Sequence, residues 1–193
     1  MKVLVACEES QRVTIEFRKL GHLAFSCDIK PCTGGHPEWH IQDDALKVIS
    51  SEQWDLLIAH PPCTYLTVAG ACHLVKHGVL DDERYKKMLS ARDFFMAIYN
   101  SSIRRICVEN PRPMKRAELP PCSQIIQPYD FGDDYSKQTC LWLKGLPLLI
   151  PNVIERNRRS AAPSWCVIHR SPVMRSKTFT GIAKAMAQQW NYE

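Results

Sequence analysis

The chain has 193 residues, 45% of them hydrophobic and 23% charged, with a formal net charge of +5. That length and apolar content suit one domain with a sizeable core of its own, large enough to fold without disulfide staples. No run of about 18 apolar residues occurs, so no membrane-spanning helix is expected, and the nine cysteines follow no disulfide-like spacing, so reduced thiols in a soluble, cytoplasmic protein are expected.

Val3-Leu4-Val5-Ala6 reads as a buried strand, entered from Met1 and Lys2 in place of a signal peptide. It leads through Cys7-Glu8-Glu9-Ser10-Gln11 to an amphipathic helix with Val13, Phe17 and Leu20 at helical spacing, closed by Gly21. Leu23 to Cys27 is a second strand ending at Asp28, which completes a βαβ unit with an acid after its second strand. In nucleoside-binding doubly wound folds that acid is a fixed acceptor for ribose hydroxyls. Lys30 to Glu38 is a Pro/Gly-rich loop and Trp39-His40-Ile41 a brief strand, after which Asp43 or Asp44 caps a short helix, Ala45 to Ser51.

Leu56 to Ala59 is too short and too uniformly apolar for an amphipathic helix and reads as a central parallel strand. Pro61 and Pro62 end it, placing Cys63 just beyond the carboxyl end, where ligands gather in open α/β sheets. Thr64 to Leu80, with two histidines, Gly70 and Gly78, reads as a mobile loop. Asp81-Asp82-Glu83 opens a helix whose stripe of Tyr85, Met88, Leu89, Arg92, Phe95, Met96 and Tyr99 packs on the core. Arg105 to Pro111 repeats the earlier design, a short apolar strand delivering Glu109, Asn110 and Pro111 at its carboxyl end. If the two strands are neighbours, a thiol and a carboxyl converge on one pocket as a nucleophile with a proton donor.

Arg112 to Gln124 is proline-broken and basic; Ile125-Ile126 and Cys140 to Leu143 read as strands, with a turn at Asp130 to Asp134 between them. Asn157 to Pro172 is polar and irregular, and Thr178 to Trp190 is a helix with Phe179, Ile182, Ala183, Met186 and Trp190 on one face. Residues 1–100 carry 11 Lys/Arg against 13 Asp/Glu, whereas 101–193 carry 14 against 7. A basic second half, with Arg112, Lys115, Arg116, Arg156, Arg158 and Arg175 among its cations, suits a polyanionic partner. The His/Cys groups lack the paired short spacings of a structural zinc site, so no metal is expected.

Pro62-Cys63 and Glu109-Asn110, each following an apolar strand, resemble the signature of the DNA cytosine carbon-5 methyltransferases. The chain as a whole is similar to the short phage and bacterial proteins of that superfamily. The resemblance implies an α/β fold over residues 1–193 as a single domain: a doubly wound, mostly parallel sheet of the S-adenosylmethionine-dependent methyltransferase (Rossmann-like) type. It further implies an antiparallel last strand and a small irregular insert around 111–172. S-adenosylmethionine is the implied cofactor, held by Cys7, Glu8, Asp28, Ile29, Asp44 and Pro61, with Asp44 on the adenine amino group. Cys63, Glu109 and Asn110 are the implied catalytic residues. The Cys63 thiolate adds to carbon 6 of cytosine, carbon 5 takes the methyl group, and a Glu109 kept protonated by burial neutralises ring nitrogen 3. Pro62, Thr67, Lys137 and Arg158 are the implied substrate contacts, and DNA the implied partner, in the cytoplasm of a bacterium or a phage-infected host.

The chain departs from the family in its first loop, usually glycine-rich, where Glu8-Glu9-Ser10-Gln11 has no glycine. It also lacks the paired arginines that steady the base-binding acid, offering Lys137 and Thr139, or Arg156 and Arg158, instead. At this length a large recognition domain has no room, so sequence specificity is low or comes from the stretch between Pro111 and Pro172. Two alternatives stand beside DNA methylation: a methyltransferase acting on a free nucleotide or single strand, and a non-catalytic methyltransferase-like binder such as a phage decoy.

Overall fold

The computed structural model describes residues 1–76, 78–153, 162–168 and 171–192. Its strands are β1 (Lys2–Ala6), β2 (Leu23–Asp28), β3 (His40–Gln42), β4 (Leu56–Ala59), β5 (Val75–Lys76), β6 (Val79–Leu80), β7 (Ile106–Pro111), β8 (Gln124–Ile126) and β9 (Thr139–Lys144). Its helices are α1 (Arg12–Lys19), α2 (Ala45–Ser51), α3 (Val68–Ala71), α4 (Asp82–Tyr99), α5 (Trp165–Ile168), α6 (Pro172–Ser176) and α7 (Thr180–Gln189). Seven strands form one sheet in the order β3-β2-β1-β4-β7-β9-β8. The first five are parallel to one another, and β9 runs antiparallel to both β7 and β8. The doubly wound, mostly parallel α/β fold and its antiparallel last strand are therefore both present. The stretch expected to be an irregular insert contributes β8 and β9 to that sheet.

The two-residue period of a strand sorts the core into two layers. Leu4, Ala6, Leu57, Ala59, Ile106 and Val108 face α2 and α4, meeting Val48, Ile49, Met88, Phe95 and Ile98. Val3, Val5, Leu56, Ile58, Cys107 and Leu141 face α1 and α7, meeting Val13, Phe17, Ile182 and Met186. Strands covered on both faces have no polar side to show, which is why they read as unbroken apolar runs. Phe95 of α4 meets Trp142 of β9 edge to face, with centroids 5.0 Å apart at 78°, and fixes that helix over the sheet. Among the described residues no helix is long and apolar enough to cross a membrane.

Register positions the site. Ala6 of β1 pairs with Ala59 of β4, which pairs with Val108 of β7. The next residues, Cys7, His60 and Glu109, therefore stand in a row at one end of the three strands. Strand order reverses between β1 and β4, and this is the switch point at which doubly wound sheets generally take their ligands.

The expected mobile loop from Thr64 to Leu80 is instead folded into α3 and the β5–β6 hairpin. Leu66 and Leu74 are buried in the core and anchor it. The Leu66 carbonyl accepts from Met114 N at 2.7 Å, Val68 N donates to the Arg112 carbonyl at 3.1 Å, and Thr67 bridges to Pro113. The segment after Cys63 is thereby laced to the segment after Glu109. Two leucines in a polar stretch carry enough apolar area to hold it down.

Candidate active site at the ends of β1, β4 and β7

Glu109 is held by a histidine. His60 Nδ1 and Glu109 Oε2 are 2.8 Å apart, with side chains only 9% and 11% exposed. Burial by itself favours the neutral forms of both. The hydrogen bond and charge of Glu109, joined by the charge of Glu8, outweigh that and raise the His60 pKa above its ordinary value. Burial likewise pushes Glu109 up, yet the bond and charge of His60, with Lys137 nearby, bring its carboxyl below the usual range. This partner works against the expectation of a carboxyl kept protonated by burial, favouring the carboxylate on Glu109 and the proton on the imidazole. It also changes the identity of the steadying base, because His60 replaces the missing arginines. Lys137 contributes charge only, its Nζ donating to the Arg175 carbonyl at 2.9 Å. The Thr139 hydroxyl donates to the Lys137 carbonyl. Arg156 and Arg158 lie outside the described residues.

Cys63 follows exposed Pro62 and is itself half-buried. Burial first, then the Glu109 charge, raise its thiol pKa, while Lys137 and Arg175 pull the other way. Thiol and carboxylate thus sense one another across adjacent strand ends. Asn110 locks the turn that carries the cysteine: it is 1% exposed, and its Nδ2 donates to the Pro61 carbonyl at 2.9 Å. Pro61 is buried, as is Thr67, whose N–H donates to the Cys63 carbonyl at 3.2 Å. These are turn-building contacts, and they place the Cys63 backbone rigidly.

On the β1–β3 side, the glycine-free loop takes the left-handed turns that glycine usually provides. Cys7 has φ 58° and Gln11 φ 56°. Glu8 is 3% exposed and spends both carboxylate oxygens on the start of α1, accepting from Val13 N at 2.7 Å, Thr14 N at 3.3 Å and Thr14 Oγ1 at 2.7 Å. Its side chain is committed to the helix, where an anion is favoured. Asp28 ends β2, with Oδ1 accepting from Lys30 N, and Ile29 beside it is 71% exposed. Asp44 caps α2, its Oδ1 accepting from Leu46 N and Lys47 N, while Asp43 pairs with the Lys47 ammonium at 2.5 Å. Asp44 Oδ2 takes no bond among the described residues.

Neither a family profile nor a curated protein matches the chain. Among solved structures it is similar to a DNA modification methyltransferase encoded within an E. coli prophage, at 14% identity and a TM-score of 0.47. It is also similar to the methyltransferase EhMeth of Entamoeba histolytica, at 13% identity and a TM-score of 0.48. Each match covers 79% of this chain, and 51% and 57% of the other two, so the chain spans a little over half the length of these structures.

The structure brings Cys63, Glu109, Asn110 and Pro61 together, places Cys7 in the same row and Lys137 within electrostatic reach, and leaves Asp28, Ile29 and Asp44 at the ends of β2 and β3. The functional residue missed from sequence is His60. Its signal was an ionisable side chain directly after a fully buried strand, at the register position beside Glu109.

Proposed function

We propose that the protein is an S-adenosylmethionine-dependent methyltransferase that adds a methyl group to carbon 5 of cytosine in DNA through a Cys63 adduct. What supports this is the delivery of a thiol and a carboxyl group to neighbouring strand ends beside the switch point of the sheet. Carbon 5 of cytosine is a poor nucleophile until the ring is saturated. Addition of Cys63 Sγ at carbon 6 drives the ring electrons towards nitrogen 3, where a proton delivered by Glu109 neutralises them. Carbon 5 then takes the methyl group and loses its proton to solvent; nitrogen 3 gives its proton back, and the thiolate leaves. Pro61 and Asn110 keep the Cys63 backbone in place throughout.

The residues present fit the cofactor by the chemistry of their donor set. Asp28 offers carboxylate oxygens to ribose hydroxyls, Asp44 Oδ2 an acceptor to the adenine amino group, and Ile29 an exposed apolar face to the adenine ring. S-adenosylmethionine, when bound, supplies the methyl group as an electrophile. A cytosine inside a duplex cannot reach a cysteine seated at a strand end, so the target base is flipped out or already unpaired. Incubation with labelled cofactor and mixed-sequence DNA tests the proposal: label enters DNA with the wild-type protein and none enters with Cys63→Ala. Transfer that survives Cys63→Ala would overturn the mechanism.

A further inference from the structure

Three ionisable side chains stand at the same end of three adjacent strands: Glu8 after β1, His60 after β4 and Glu109 in β7. They are unequal. Glu8 is held by three donors at the amino end of α1. Glu109 has one strong partner, His60 Nδ1 at 2.8 Å, and reaches the Cys63 side. His60 follows the strand that lies between β1 and β7, feels the charge of Glu8, and has its Nε2 buried with no hydrogen-bond partner among the described residues. A buried imidazole with one nitrogen bonded to the acid that must deliver a proton is placed to store that proton.

We propose that His60 is the proton store for Glu109: it holds the proton in the resting protein and passes it from Nδ1 through the Glu109 carboxyl to nitrogen 3 of the pyrimidine as Cys63 adds. This rests on the cytosine reading of the site. The step balances. The Cys63 thiol gives its proton to solvent, the Sγ–carbon 6 bond forms, the ring π pair shifts towards nitrogen 3, nitrogen 3 gains the proton from His60 through Glu109, and imidazolium becomes neutral imidazole; on elimination the nitrogen 3 proton returns by the same route and the departing thiolate takes one from solvent. The charged groups that face His60 are Glu8, Glu109 and Lys137, the last opposing its protonation.

His60 acts through Glu109 and is a positioning residue, so two measurements judge it. Histidine NMR titration, with the His60 signal assigned by its loss in His60→Gln, should give a midpoint above about 6.5 that falls in Glu109→Gln. A wild-type midpoint at or below that value overturns the proposal, whether or not methyl transfer is ever seen. In the transfer assay His60→Gln should lower kcat about 10²-fold with KM little changed and move the alkaline fall of the rate to lower pH. The double variant with Glu109→Gln should be no slower than Glu109→Gln alone, as expected for residues acting as one unit. Wild-type rate and pH profile in His60→Gln would overturn the proposal; absence of transfer by the wild-type protein would instead bring down the cytosine reading, leaving His60 to be judged by its titration.

Discussion

Glu109 is buried and bonded to the His60 imidazole, and such a pair makes stability depend on pH in a predictable way. His60 has a raised pKa in the folded protein, so its contribution is complete below its ordinary 6.5 and is lost as pH rises through the folded value. Glu109 has a lowered one, so its contribution is complete above its ordinary 4.5 and is lost as pH falls through the folded value. Both are present together between those two pH values. His60→Gln should therefore destabilise the protein most at about pH 5 to 6, by roughly 3 kcal/mol as for breaking a buried pair from one side. The deficit should shrink towards pH 8.5 and towards pH 3. Denaturant melts across that range check the expectation, and a deficit that does not vary with pH would contradict it.

At the scale of elements, two acids that look alike in sequence serve different ends because of the helices beside them. Glu8 is drawn into the start of α1, and Asp44 sits at the N-cap of α2 with one oxygen engaged. The two expected roles of Asp44, cap and cofactor contact, are compatible because they use different oxygens, and substitution separates them. Asp44→Ser keeps a capping oxygen and should leave stability nearly unchanged while weakening S-adenosylmethionine binding measured by calorimetry. Asp44→Ala loses the cap as well and should cost about 1 kcal/mol of stability. Equal binding by wild type and Asp44→Ser would show that Asp44 is a cap and nothing more. The segment after Cys63 follows the same logic: Leu66 and Leu74 bind it to the core, and its backbone bonds to Arg112 and Met114 keep the cysteine turn and the Glu109 strand in one unit.

At the scale of the molecule, charge is divided between the halves of the chain, with 14 Lys/Arg against 7 Asp/Glu in residues 101–193. Arg112, Lys115 and Arg116 follow directly on the strand that carries Glu109, so the basic stretch begins at the site. If the substrate is a polynucleotide, its affinity should fall steeply with salt, the logarithm of the binding constant dropping linearly with a slope set by the number of phosphates engaged. Fluorescence anisotropy with a labelled oligonucleotide between about 50 and 200 mM salt measures it, over a range where 6–10 phosphate contacts would cost roughly 10³-fold or more. A flat slope together with methylation of free dCMP would replace DNA with a nucleotide as the substrate.

The apolar runs Val3 to Ala6, Leu56 to Ala59 and Ile106 to Val108 were legible as central strands because burial on both faces leaves a signature within each segment. The same local logic located Cys63 and Glu109 just where those strands end, and the acids before α1 and α2. What lay beyond the sequence was every relation across strands. His60 and Glu109 are 49 residues apart in the chain, and only the pairing of Ala59 with Val108 brings them to 2.8 Å. That contact reverses the direction in which burial alone would shift the Glu109 pKa, because a hydrogen-bonded partner of opposite charge outweighs desolvation. Leu66 and Leu74 were likewise too sparse to signal a folded segment until the core that receives them was in place. Local patterning therefore determined the strands and the reactive residues at their ends, whereas register, which sums weak preferences over the whole sheet, decided which of those residues meet.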